Sequence, residues 1–145
     1  MNPASEDALA LLKETSRTFY IPISNLPAGL REAVAAAYLC MRAIDQIEDA
    51  PHLEVSLKAK LLRRLSLNLQ AGTELTAAAT FAQGLAPYCD RLEEVTLRIG
   101  EWALLAPGEI APRIWDATAA MADRMAYWAE CNWAIHTEAD LDRYT

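Results

Sequence analysis

The chain has 145 residues, 53% of them hydrophobic, which is enough apolar material for one packed domain and too much for a disordered chain. A formal charge of −7 and a pI near 4.8 exclude nucleic acid as a partner and leave any phosphorylated substrate in need of bridging cations. Cys40, Cys89 and Cys131 are odd in number and far apart, which suggests neither a disulfide framework nor a zinc site.

The start of the chain, with Asn2, Pro3 and the acidic pair Glu6 and Asp7, lacks the basic and apolar regions of a signal peptide, so the cytoplasm is the expected compartment. No apolar run reaches the roughly eighteen residues that span a bilayer.

Alanine and leucine abound, glycine is scarce, and no stretch alternates with period two, so the expected fold is all-α. Ser5 is expected to cap a first helix through Leu9, Leu11 and Leu12, which the Phe19 to Pro27 stretch, with Pro22 and Pro27, ends or interrupts. A second helix starts near Pro27 and stops before Pro51. A third covers Leu53 to Gln70, its charges Lys58, Lys60, Arg63 and Arg64 reading as a solvated face. Thr76 to Leu85, Tyr88 to Leu105 and Pro112 to Asn132 are further helices. Thr137 with Asp140 forms a capping-box pattern for a helix beginning near Glu138. A chain stopping in the second turn of a freshly capped helix is expected to be a fragment, or a shortened relative, of a longer helical protein.

The chemistry is concentrated on the second helix. Each residue advances about 100° around a helix axis, so Leu30, Val34, Ala37, Met41 and Ile44 form an apolar stripe. Tyr38, Arg42, Asp45 and Asp49 fall in one narrow row on a second face. Asp45, Glu48 and Asp49 crowd the C-terminal turns, where the helix dipole disfavours each carboxylate by roughly 0.3–1 kcal/mol. A divalent cation would reverse that penalty, and two aspartates one turn apart suit magnesium, which keeps its other positions for waters and phosphate oxygens. By spacing alone the same residues read first as an acidic, solvated helix end.

Ser16-Arg17-Thr18-Phe19, together with Tyr38-Leu39-Cys40-Met41-Arg42-Ala43-Ile44-Asp45-Gln46-Ile47-Glu48-Asp49, resembles the squalene/phytoene synthase family, which joins two prenyl diphosphates head to head. Asp140-Leu141-Asp142-Arg143-Tyr144 also resembles the stretch ahead of that family's glycine- and valine-rich helix break. The resemblance implies the N-terminal half of the isoprenoid synthase helical bundle, one domain over residues 1–145 that stops before the family's second aspartate-rich motif. It implies that Asp45 and Asp49 bind Mg2+, that Arg17 and Arg42 contact the substrate diphosphate, and that Ser16 and Phe19 belong to a flap. Tyr38 and Tyr144 match catalytic tyrosines, Tyr144 one proposed for proton transfer, and Glu48 matches a commonly acidic position.

The implied substrate is a prenyl diphosphate. The Asp-x-x-Glu-Asp form of the motif resembles squalene-type enzymes and so favours farnesyl over geranylgeranyl diphosphate. The missing motif implies ligands from a second chain or a longer product, and peripheral membrane contact is a separate expectation, for product release. A catalytically incomplete isoprenoid-binding or partner-subunit domain is the competing expectation, and a head-to-tail synthase or terpene cyclase another. Trp102, Trp115, Trp128 and Trp133 fit core positions better than a cavity lining, and His52 and His136 fit caps or solvent.

Overall fold

The computed structural model describes residues 3–71, 81, 83–131 and 137–139, and among them it contains helices and turns but no strand. The helices are α1 (Pro3–Thr15), α2 (Arg17–Ser24), α3 (Leu30–Asp49), α4 (Val55–Ala71), α5 (Glu94–Leu97), α6 (Ile99–Ala103) and α7 (Ala111–Glu130), with a 3-10 turn at Ala86–Tyr88. The all-α expectation therefore holds. Among the described residues no helix is long and apolar enough to cross a membrane.

Three local expectations change. Helix α1 already begins at Pro3, whose fixed φ and missing N–H suit a first turn, and Ser5 is buried rather than capping. The first helix ends at Thr15, ahead of the Phe19 to Pro27 stretch expected to end or interrupt it, and Pro22 lies inside α2 on its exposed side, where the helix gives up one hydrogen bond and ends two residues later. The helix expected from Tyr88 to Leu105 is broken at Arg98. There the Trp102 indole N–H donates to the Val95 carbonyl at 2.9 Å, taking the acceptor that a continuous helix would offer to residue 99.

Helix α3 is the hub, packing against every other helix named above. It starts at Gly29, whose φ of 90° is open to glycine at little cost, and the Gly29 N–H donates to Glu32 Oε2 at 2.7 Å. Its fully buried side is built from Ala36, Leu39, Cys40, Ala43, Ile44 and Ile47, whose small members let neighbouring helices approach closely. The stripe expected from Leu30 to Ile44 is thus corrected. Ile44 is in the core, but Leu30 and Met41 are 50% and 44% exposed and Val34 and Ala37 only half-buried. Alanines at 33, 36 and 43 make the face beside the expected stripe the better one for close packing.

Helices α4 and α7 form the most extensive pair, and the C-terminal end of α7 is tied to the middle of α4 by Arg63, which reaches both carboxylate oxygens of Glu130 at 2.8 and 3.1 Å. Trp102 and Trp115 are core residues as expected, the latter donating to the Ala103 carbonyl at 2.7 Å. Trp133, His136, Asp140 and Tyr144 lie outside the described residues.

Candidate functional site

Local sequence decides how the acidic end of α3 is held. Within Asp45-Gln46-Ile47-Glu48-Asp49 the middle residues anchor the turn: Ile47 is fully buried, and the Gln46 side-chain carbonyl accepts from the Glu93 N–H at 3.2 Å. One turn earlier, the buried Thr96 hydroxyl donates to the Ala43 carbonyl at 2.8 Å. With that side fixed, Asp45 is turned toward α7.

Asp45 and Glu48 share a cavity of about 360 Å³ with Met121, Arg124, Met125 and Trp128 of α7. Arg42 approaches Asp45 at 3.4 Å, a loose ion pair between side chains about two-fifths exposed. Burial raises the Asp45 pKa above the usual carboxylate value, Asp49 raises it further, and Arg42 offsets only part of this. Asp45 is therefore only partly compensated by the neighbouring Arg42.

Lys58 corrects the reading of α4 as carrying a uniformly solvated basic face. Its side chain is buried, and its ammonium donates to the Glu48 main-chain carbonyl at 2.7 Å. A cation on that carbonyl neutralises part of the dipole at the C-terminal end of α3, which makes the acid cluster tolerable to the fold.

The apolar part of the site adjoins the acidic one. A second cavity, about 300 Å³, is lined by Ala37, Met41, Arg113, Ile114, Ala117, Thr118 and Met121, so Met121 belongs to both. A third, about 420 Å³, is lined by Phe19, Pro22, Ile23, Leu26, Val34, Ala37, Tyr38 and Met41, so Ala37 and Met41 link it to the second. Three adjoining cavities therefore run along α3 from the α2 segment to the aspartate end. Val34, Ala37 and Met41, expected in an apolar core stripe, instead line this row.

Of the expected site residues, Phe19 and Tyr38 come together with ring centroids 5.2 Å apart, and Arg42 meets Asp45. Ser16 is the N-cap of α2, its hydroxyl accepting from the Phe19 N–H at 3.4 Å, so its structural contribution is to fix the turn that carries Phe19. Arg17 and Asp49 are exposed, and neither lines the three cavities. Tyr144 is outside the described residues.

Sequence reasoning missed the α7 wall, although Met121, Arg124, Met125 and Trp128 recur at the three- and four-residue spacing of one helix face. Trp128, expected in the core, is buried yet contributes to the acidic cavity.

Among the described residues no three His, Cys, Asp or Glu side chains gather into a metal cage. Asp45 and Asp49 still fit magnesium. That ion accepts one or two carboxylates and takes the rest from water and phosphate, and Asp49 lies near enough to Asp45 to add to the rise that burial causes in the Asp45 pKa.

Comparison with known proteins places the chain among relatives of one family. The family model described as squalene/phytoene synthase matches residues 12–145. Botryococcus squalene synthase from Botryococcus braunii is 29% identical over 143 residues, 99% of this chain and 29% of that protein. A squalene synthase of Schizosaccharomyces pombe is 32% identical over 141 residues, 92% of this chain and 29% of its own. Squalene synthase ERG9 of Candida albicans is 44% identical over 59 residues, 41% of this chain and 13% of that one. The chain thus spans under a third of the length of the first two.

Proposed function

The chain belongs to the squalene/phytoene synthase family, and from that premise we propose that it forms part of a transferase condensing two prenyl diphosphates head to head, with farnesyl diphosphate the favoured substrate. The observation that carries the reading is the adjacency of an acidic cavity to two apolar ones along α3. An ionic head bound at Asp45 leaves an isoprenoid tail in contact with Met121, Ala37 and Met41, away from water.

Asp45 and Asp49 are the residues assigned to Mg2+, which when bound supplies Lewis-acid assistance to the departure of pyrophosphate. Arg42, already beside Asp45, and Arg17 on the first turn of α2 hold the anionic group by fixed charge. Tyr38, its ring tilted against that of Phe19, orients the substrate from the apolar side, and Tyr144 is assigned the proton transfer. The apolar walls exclude water from the allylic cation. Location in the cytoplasm, with peripheral contact to a membrane that receives the apolar product, is part of the same proposal.

The test is incubation of the complete gene product that contains this chain with farnesyl diphosphate and Mg2+. Release of pyrophosphate with a cyclopropyl or C30 head-to-head product supports the reading. Protection of the substrate without turnover favours a binding domain instead, and a head-to-tail or cyclised product moves the chain to a different prenyl chemistry.

A further inference from the structure

The α7 wall of the cavity that Asp45 and Glu48 line carries a cation not used so far. Arg124 is exposed on α7, between Met121 and Trp128 on the same helix face, and lines the cavity with Asp45 and Glu48. Arg31, Arg42, Arg63 and Arg98 each hold a carboxylate. Among the described residues the Arg124 guanidinium forms neither an ion pair nor a hydrogen bond, although two carboxylates share its cavity.

An arginine facing carboxylates across open space, rather than collapsing onto them, leaves room for a group between. The space is about 360 Å³, several times the roughly 30 Å³ share of one water molecule, and so has room for a phosphorylated head. A metal on the aspartate side would attract that head from one wall, and a guanidinium fork would accept two of its oxygens from the other.

We infer that Arg124 is a substrate-contacting residue that clamps the diphosphate from α7, against the metal-bearing face of α3. The inference rests on the metal and diphosphate reading of Asp45. It adds a contact from a helix that carries none of the residues named for this role so far.

The probe is inorganic pyrophosphate, titrated calorimetrically into the complete gene product that contains this chain with and without Mg2+, with melting temperatures recorded alongside. Wild type is expected to bind in a Mg2+-dependent manner. Arg124→Gln is expected to bind about tenfold or more weakly at an unchanged melting temperature, the usual effect of losing a hydrogen bond to a charged group. Arg124→Lys, which keeps the charge but not the fork, is expected to fall between them. Unchanged affinity in both variants, while Asp45→Asn abolishes the Mg2+ dependence, overturns the role of Arg124 and leaves the metal reading standing. Absence of Mg2+-dependent binding in wild type, or its persistence in Asp45→Asn, overturns both.

Discussion

Lys58 of α4 donates a 2.7 Å hydrogen bond from its ammonium to the main-chain carbonyl of Glu48, so a buried cation is set against the C-terminal end of the helix that carries the acid cluster. Three acidic side chains within five residues of a helix end would otherwise add to a dipole of the same sign.

Replacing Lys58 with methionine keeps the aliphatic stem and removes the charge and the donor. The expected cost is about 1.5–3 kcal/mol, the range for hydrogen bonds involving a charged group, read as a lowered denaturant midpoint at unchanged m-value. A Lys58→Met protein as stable as wild type would mean that the acid cluster needs no partner within the fold.

Asp45 gives the opposite sign. Burial and Asp49 raise its pKa, so the folded state holds the proton more tightly than the unfolded chain does, and stability is lost as pH rises through the interval between the two values. With metal chelated, Asp45→Asn is expected to melt about 1–2 °C above wild type at neutral pH, the size of a relieved like-charge pair on a helix. The difference should vanish on acidification below the unfolded pKa. In the complete protein the same variant should lose turnover steeply. A variant that melts lower at neutral pH would show that Arg42 fully compensates the site.

Arg98 binds three parts of the fold at the break between α5 and α6. It pairs with Asp7 of α1, with Glu94 at 3.1 Å and with Glu101 at 2.8 Å, and its guanidinium lies 4.6 Å from the Trp102 ring centre. The carboxylates are half exposed, so each pair contributes little by itself, and the stacking on tryptophan supplies much of the effect. Arg98→Ala should destabilise the chain by about 1–2 kcal/mol, while Arg98→Lys, which keeps the charge but loses the planar fork, should recover less than half. Full recovery by lysine in chemical denaturation would assign the role to charge alone.

How much of this was legible in the sequence follows from which signals are local. Pro51 and the apolar period placed α3 and α4 to within a few residues, because breakers and helical periodicity act on neighbours along the chain. The row of Tyr38, Arg42, Asp45 and Asp49 was equally readable. The side of α3 that packs was not, since leucine and methionine score as core while alanine, which lets helices come close, carries little signal. Lys58 was misread for a related reason: a lysine among other basic residues looks solvated until α4 is placed against the end of α3. The α7 wall was missed because methionine and tryptophan at helical spacing are ordinary core, and only the opposing Asp45 makes them a site.

Met41 and Met121 stand where neighbouring cavities meet, Met121 between the acidic and the first apolar cavity and Met41 between the two apolar ones. On the proposed reading an isoprenoid tail anchored at Asp45 passes Met121 first and Met41 next, so bulk at Met41 acts on the far end of the tail and bulk at Met121 on its root. Met41 is 44% exposed, so enlarging it strains the core little. In the complete protein, Met41→Trp should therefore lower kcat/KM for geranylgeranyl diphosphate more than for farnesyl diphosphate. The expected change in the ratio is about ten- to a hundredfold, the discrimination that small steric differences in apolar pockets provide. Met121→Trp should depress both substrates together. Competition between the two diphosphates in one reaction measures the ratio directly, and an unchanged ratio in Met41→Trp would place the tail elsewhere than along α3.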